Sequence, residues 1–86
     1  MVLKIPQLYY DLAEKFYKRR LTYLNENEIE MEDLYEDIEL WLEKDLKWTP
    51  EAVEDATGKL FVGLKDMGYI SRKDEEESEE IIYEVL

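Results

Sequence analysis

Apolar residues recur along this chain at two spacings, and the change from one to the other divides it. From about Pro6 to Leu24, Leu8, Leu12 and Phe16 fall four apart, with Tyr9, Ala13 and Tyr17 in the adjoining row. Rows at i, i+4 make one wide apolar face of a helix. Pro6 suits a first helical turn, where its missing N–H costs nothing. From about Met31 to Leu46, Leu34, Ile38, Trp41, Leu42 and Leu46 keep helical spacing, while Glu32, Asp33, Glu36, Asp37, Glu39 and Glu43 fill the other side. In the preceding "NENEIEM", Ile29 and Met31 alternate with Glu28 and Glu30, which fits a very short strand. A helix capped by Asn27, with Glu30 three residues on, is the competing reading.

The stretch "TPEAVEDATGKLFVGLKDMG" predicts a third helix. Thr49 is a good N-cap, Pro50 is favoured at the first helical position, and Glu51 suits the positive end of the dipole. Val53, Ala56, Leu60, Leu64 and Met67 form the expected inward stripe, and Gly68 sits where a left-handed C-terminal cap is wanted. Gly58 and Gly63 each cost the helix roughly 1 kcal/mol against Ala, which close helix–helix approach would offset. Beyond Gly68 the period falls to two. Tyr69–Arg72 and Ile81–Leu86 read as the strands of a hairpin, with Ile81, Tyr83 and Val85 on one face and Ile82, Glu84 and Leu86 on the other. A lone hairpin is marginal and must pack on the helices. The expected fold class is mainly α with a small antiparallel β-hairpin (α+β), a three-helix single domain over 1–86 with an acidic loop at 73–80.

Composition narrows the chemistry. With 86 residues, 45% of them hydrophobic and 40% charged, the chain suits one modest core under a well-solvated surface. It has no cysteine and no histidine, so disulfides, thiolate sites, the commonest general base and the commonest transition-metal ligand are all absent. No phosphate-cradling glycine motif occurs. "NENEIEMED" alternates oxygen ligands but lacks the central glycine of a calcium loop. The expectation is a non-enzyme with no cofactor and no metal. No apolar run approaches the ~18 residues of a membrane span. "MVLKIPQLYY" lacks the features of a signal peptide, which points to a cytoplasmic protein. Abundant Glu, Lys and Ile with only Gln7, Asn25 and Asn27 as amides is a bias of hyperthermophile proteins, and suggests a thermophilic, archaeal source.

Charge is unevenly spread within the net −12. Residues 1–24 carry five Lys/Arg against two Asp/Glu, residues 25–57 two against thirteen, and residues 58–86 four against eight. Such a field repels phosphate backbones over most of the surface and attracts basic partners.

The order helix, short strand, helix, helix, hairpin resembles the winged-helix family of helix-turn-helix domains. "LFVGLKDMGYI", Leu60 to Ile70, is similar to the end of a recognition helix, its glycine cap and the entry to the wing, and "LKWTPEAVEDA" to the turn that introduces such a helix. The resemblance implies the fold and not one function, since winged helices serve as DNA readers, subunits of RNA complexes and protein-docking modules. A DNA-reading member would present cations near the start of the third helix and on the wing. Here those helix positions are Glu51, Glu54, Asp55 and Thr57, with Lys59 and Lys65 further along, and the wing's Arg72 and Lys73 are followed by Asp74, Glu75, Glu76, Glu77, Glu79 and Glu80.

Two sets of candidate residues follow. Tyr10, Tyr17, Leu40, Phe61 and Val62 exceed what the core stripes need, and with Glu36, Glu39, Glu43 and Asp74, Glu75, Glu76 and Glu77 they form an expected partner-binding set. The bland reading is a charged, solvated outer face and loop. Lys15, Lys18, Arg19, Arg20, Arg72 and Lys73 are the candidate nucleic-acid contacts, with Tyr17 and Tyr23 available to stack on bases. Their bland reading is pairing with the acidic second segment, within one chain or across a homodimer. The leading expectation is a protein–protein interaction module, an accessory subunit of replication or transcription machinery that meets a basic partner. The alternatives are an acidic DNA mimic that inhibits a DNA-binding protein, and a DNA-binding transcriptional regulator; direct nucleic-acid binding is expected to be weak.

Overall fold

The computed structural model describes residues 5–23, 27–73 and 81–86. The acidic loop residues Asp74, Glu75, Glu76 and Glu77 lie outside the described residues, as does the side chain of Tyr23. Helix α1 spans Gln7–Arg19 and runs into a short 3-10 turn at Leu21–Tyr23. Strand β1 (Glu28–Glu30) leads directly into α2 (Met31–Leu40), which widens into a π-type turn at Trp41–Asp45. Helix α3 covers Pro50–Asp66, and strands β2 (Ile70–Arg72) and β3 (Ile82–Val85) follow. The described residues thus form three helices and a small antiparallel sheet, a mainly α, α+β fold.

The short-strand reading of Ile29 is the one that forms. Ile29 lies opposite Tyr83, so β3 is the middle strand and the sheet order is β1-β3-β2. What the sequence offered as a two-stranded hairpin is a three-stranded sheet, and the helix capped by Asn27 does not occur. The joint between β1 and α2 is tied to the sheet by the Met31 N–H, which donates to the Ile81 carbonyl at 2.8 Å. Glu30 contributes no side-chain cap, and Glu32 and Asp33 in the first turn complement the helix dipole instead. At the far end the Leu46 N–H reaches the Trp41 carbonyl at 3.2 Å and Lys47 takes φ 60° before Thr49 caps α3 through the Ala52 N–H, at 3.3 Å. Gly68, with φ +76°, turns the chain out of α3 into β2, as its position suggests.

Phe16, Leu34, Ile38, Leu42, Leu60 and Leu64 are the largest fully buried side chains and come from all three helices. Phe16 meets Trp41 edge-on, with ring centroids 5.5 Å apart. Where α1 crosses α3, a Cβ on Gly63 would stand 3.1 Å from the Tyr9 carbonyl oxygen and 3.2 Å from the Ala13 Cβ, so glycine permits the approach. Gly58 has nothing within 4 Å of the same point, and the expectation of close approach fails there.

Several placements correct the faces expected for α1 and α3. Phe61 is buried, 5% exposed, because the sheet covers the side of α3 that the stripe left open: its ring stacks on Tyr35 at 4.8 Å and meets Tyr83 edge-on at 5.0 Å. Thr57, expected on the exposed face, is buried, and its hydroxyl donates to the Val53 carbonyl at 2.6 Å. Met67 and Leu8, expected inward, are 40% and 52% exposed, since each sits at a helix end beyond the core.

Candidate interaction surface

Helix α2 is held by its buried side, Leu34 and Ile38 continuing into Trp41 and Leu42. The same 3.6-residue geometry that buries those four turns Glu32, Asp33, Glu36, Glu39 and Glu43 outward, where all are exposed. Leu40, 47% exposed, stands among them. Among the described residues, no Lys or Arg pairs with any of these carboxylates. Like charges at i, i+4, such as Glu32/Glu36 and Glu39/Glu43, repel by a few tenths of a kcal/mol per pair. This outer side therefore works slightly against its own helix. On α3, Val62 is half-buried and Glu51 and Glu54 are exposed at the start of the helix, while exposed Asp55 is balanced by Lys59.

The aromatic members of the partner set are engaged within the fold. The Tyr10 hydroxyl donates to the Asp66 carboxylate at 3.0 Å and bridges α1 to α3. Tyr17 stacks on Tyr69, with centroids 4.2 Å apart and planes within 11°, and its hydroxyl donates to the Leu86 carbonyl. Phe61, as described, is core. Of the apolar groups expected at the surface, Leu40 is exposed, and Val62, Tyr10 and Tyr17 are half-buried.

The cations are exposed, apart from half-buried Lys59, and partly committed. Lys18 pairs with Glu14 at 3.0 Å, and that hydrogen bond and the adjacent carboxylate charge hold its ammonium above the ordinary lysine value. Lys59 pairs with Asp55 at 2.9 Å, is raised chiefly by that hydrogen bond, and lies 5.3 Å from the Tyr9 ring centroid. Lys73 reaches across β3 to Glu28. Lys15, Arg19, Arg20 and Arg72 are exposed. The positive set thus mixes groups already balanced by carboxylates with groups on separate elements.

The sheet adds acidic groups that the sequence reading did not single out. The register sets Glu28, Glu84 and Ser71 in one row and Glu30 and Ile82 in the next, on the face opposite buried Tyr83 and Ile70. A groove of about 270 Å³, lined by Glu28, Ile29, Glu30, Asp33 and Ile82, runs beside β1. Alternating Glu and Ile in "ENEIE" and "IIYEV" was the available signal, but it identifies a site only once the two segments are known to pair. Among the described residues no group of three or more carboxylates is placed to hold a metal ion, and no helix is long and apolar enough to cross a membrane.

In comparisons with known proteins, the chain matches no family model, no curated protein and no solved structure.

Proposed function

We propose that this chain is a non-catalytic docking module, a small accessory subunit that binds a protein with a basic surface within replication or transcription machinery. The observation that carries the reading is the outer side of α2, where Glu36, Glu39 and Glu43 surround exposed Leu40 with no cation paired to them among the described residues. Uncompensated carboxylates raise the rate of encounter with a basic partner, and a central apolar group supplies the contact that outlasts salt. The winged-helix resemblance belongs to the same proposal. It is supported by the element order α1-β1-α2-α3-β2-β3 and by a middle strand β3. The nucleic-acid setting rests on that resemblance alone.

The test compares the immobilised protein with its Glu36→Lys/Glu39→Lys/Glu43→Lys variant, each exposed to cell extract at moderate and at high salt. One stoichiometric partner, held by the native protein at high salt and lost by the variant, is expected. Recovery of nucleic acid alone, unchanged by the variant, would overturn the reading in favour of a DNA-binding regulator. A basic DNA-binding protein that salt removes and DNA displaces would instead favour the mimic.

A further inference from the structure

The β1 edge of the sheet combines backbone groups with the acidic groove, and hydrogen bonding shows which groups face it. The Val85 N–H donates to the Asn27 carbonyl at 2.7 Å, and the Met31 N–H donates to the Ile81 carbonyl at 2.8 Å. Ile29 lies opposite Tyr83 in that same register. In an antiparallel ladder alternate residues turn their backbone groups to the same side. Residues 27, 29 and 31 therefore address β3, and the N–H and C=O of Glu28 point away from the sheet, along the groove. Among the described residues, Glu28, Glu30, Asp33 and Glu84 gather at this edge, and Lys73 pairs with Glu28 there. Ile82, on the same face as Glu28 and Glu30, gives the groove an apolar side chain, while the Ile29 side chain turns to the opposite face beside Tyr83.

From this arrangement we infer that the β1 edge takes up an extended, basic segment of the partner as a fourth strand, with Lys or Arg at alternate positions. The inference rests on the docking function proposed above and names the form the partner takes. Main-chain bonds to Glu28 supply the pairing, and alternate side chains supply selectivity. The stem of one cationic side chain lies over Ile82 while its charge meets Glu28, Glu30 and Asp33. A second copy of this chain does not suit the edge. It would set carboxylate against carboxylate, between molecules of net charge −12. Carboxylates that block such self-pairing leave the edge open to a strand of opposite sign.

The experiment titrates the whole, isotope-labelled protein with the peptide Lys-Val-Lys-Val-Lys-Val and follows its backbone amide signals. Two further peptides carry N-methyl groups, one on the lysines and one on the valines, so that each blocks one hydrogen-bonding side of the added strand. The parent peptide is expected to shift Glu28, Ile29, Glu30 and Ile82. One methylated form should lose about tenfold in affinity, the equivalent of one main-chain bond to a strand edge, and the other should bind like the parent. Glu28→Pro and Glu28→Gln both remove the carboxylate, and Pro alone also removes the outward N–H, so Pro should lose more; Pro is tolerated on edge strands, where that N–H has no partner within the sheet. Equal binding of all three peptides, with shifts confined to Glu36–Glu43, would overturn the strand and leave the docking function standing. Absence of any shift, at the edge or on α2, would overturn both.

Discussion

Gly58 and Gly63 share one helix and meet opposite surroundings. Gly63 faces α1 so closely that the Tyr9 carbonyl and the Ala13 methyl occupy the space a side chain would need, whereas Gly58 faces open space. The same contrast holds for the helices around them. Between α1 and α3 the contacts are apolar or paired: Phe16, Leu60 and Leu64 are fully buried, and Tyr10 bonds to Asp66. The outer side of α2 carries carboxylates and a half-exposed leucine that nothing in the described fold uses. Stability resides in the first region. The second is maintained at a small energetic disadvantage, which is what a surface shaped for something outside the chain should cost.

The most severe way to break the closed side is Phe16→Ala. It removes a fully buried ring that touches Trp41 and should lower the unfolding free energy by about 3–5 kcal/mol, read from urea denaturation. Gly63→Ala is milder, about 1–3 kcal/mol of destabilisation, because α1 must shift by a few tenths of an ångström to admit the methyl group. Gly58→Ala should have the opposite sign and gain roughly 0.5–1 kcal/mol, since it removes backbone entropy from the unfolded chain and meets nothing in the folded one. Denaturant midpoints for the two glycine variants, measured side by side, decide the matter; shifts of one sign would end the contrast between the two sides of α3.

The smallest effect concerns pH. Burial, and then the neighbouring Tyr83, raise the Tyr35 phenol above its ordinary value of 10.0. Above that pH the unfolded chain loses the proton first. The contribution to stability is therefore fully present below pH 10.0 and is lost as pH rises through the higher folded value. Tyr35→Phe should flatten the alkaline decline, seen as a smaller drop in the denaturant midpoint between about pH 9 and about pH 11 than the native protein shows.

The helices were legible because their signals are local. Period, Thr49 and Pro50 at one end of α3 and Gly68 at the other fix it without reference to the rest of the chain. Phe61 was misplaced because the stripe on a single helix assumes one neighbour. Helix α3 has α1, α2 and the sheet around it, so a wider arc is buried than a lone amphipathic pattern indicates. Tyr10 and Tyr17 look surplus in the sequence because their partners, Asp66 and the Leu86 carbonyl, lie far along it. For the same reason the acidic side of α2 could be read directly from "MEDLYEDIELWLEK", while the β1 groove could not. One belongs to a single segment and the other exists only where Glu28 meets Glu84.

The middle position of β3 also sets an order of events. Strand β1 leaves the ribosome ahead of α2 and α3, yet its neighbour in the sheet is a segment made after both. The helices hold enough buried area to collapse on one another beforehand, and closing the long loop from Glu28 to Glu84 is entropically simpler once they have done so. The glutamates flanking Ile29 thus sit on a strand whose partner is made last, where like charge disfavours pairing with the same segment of another copy.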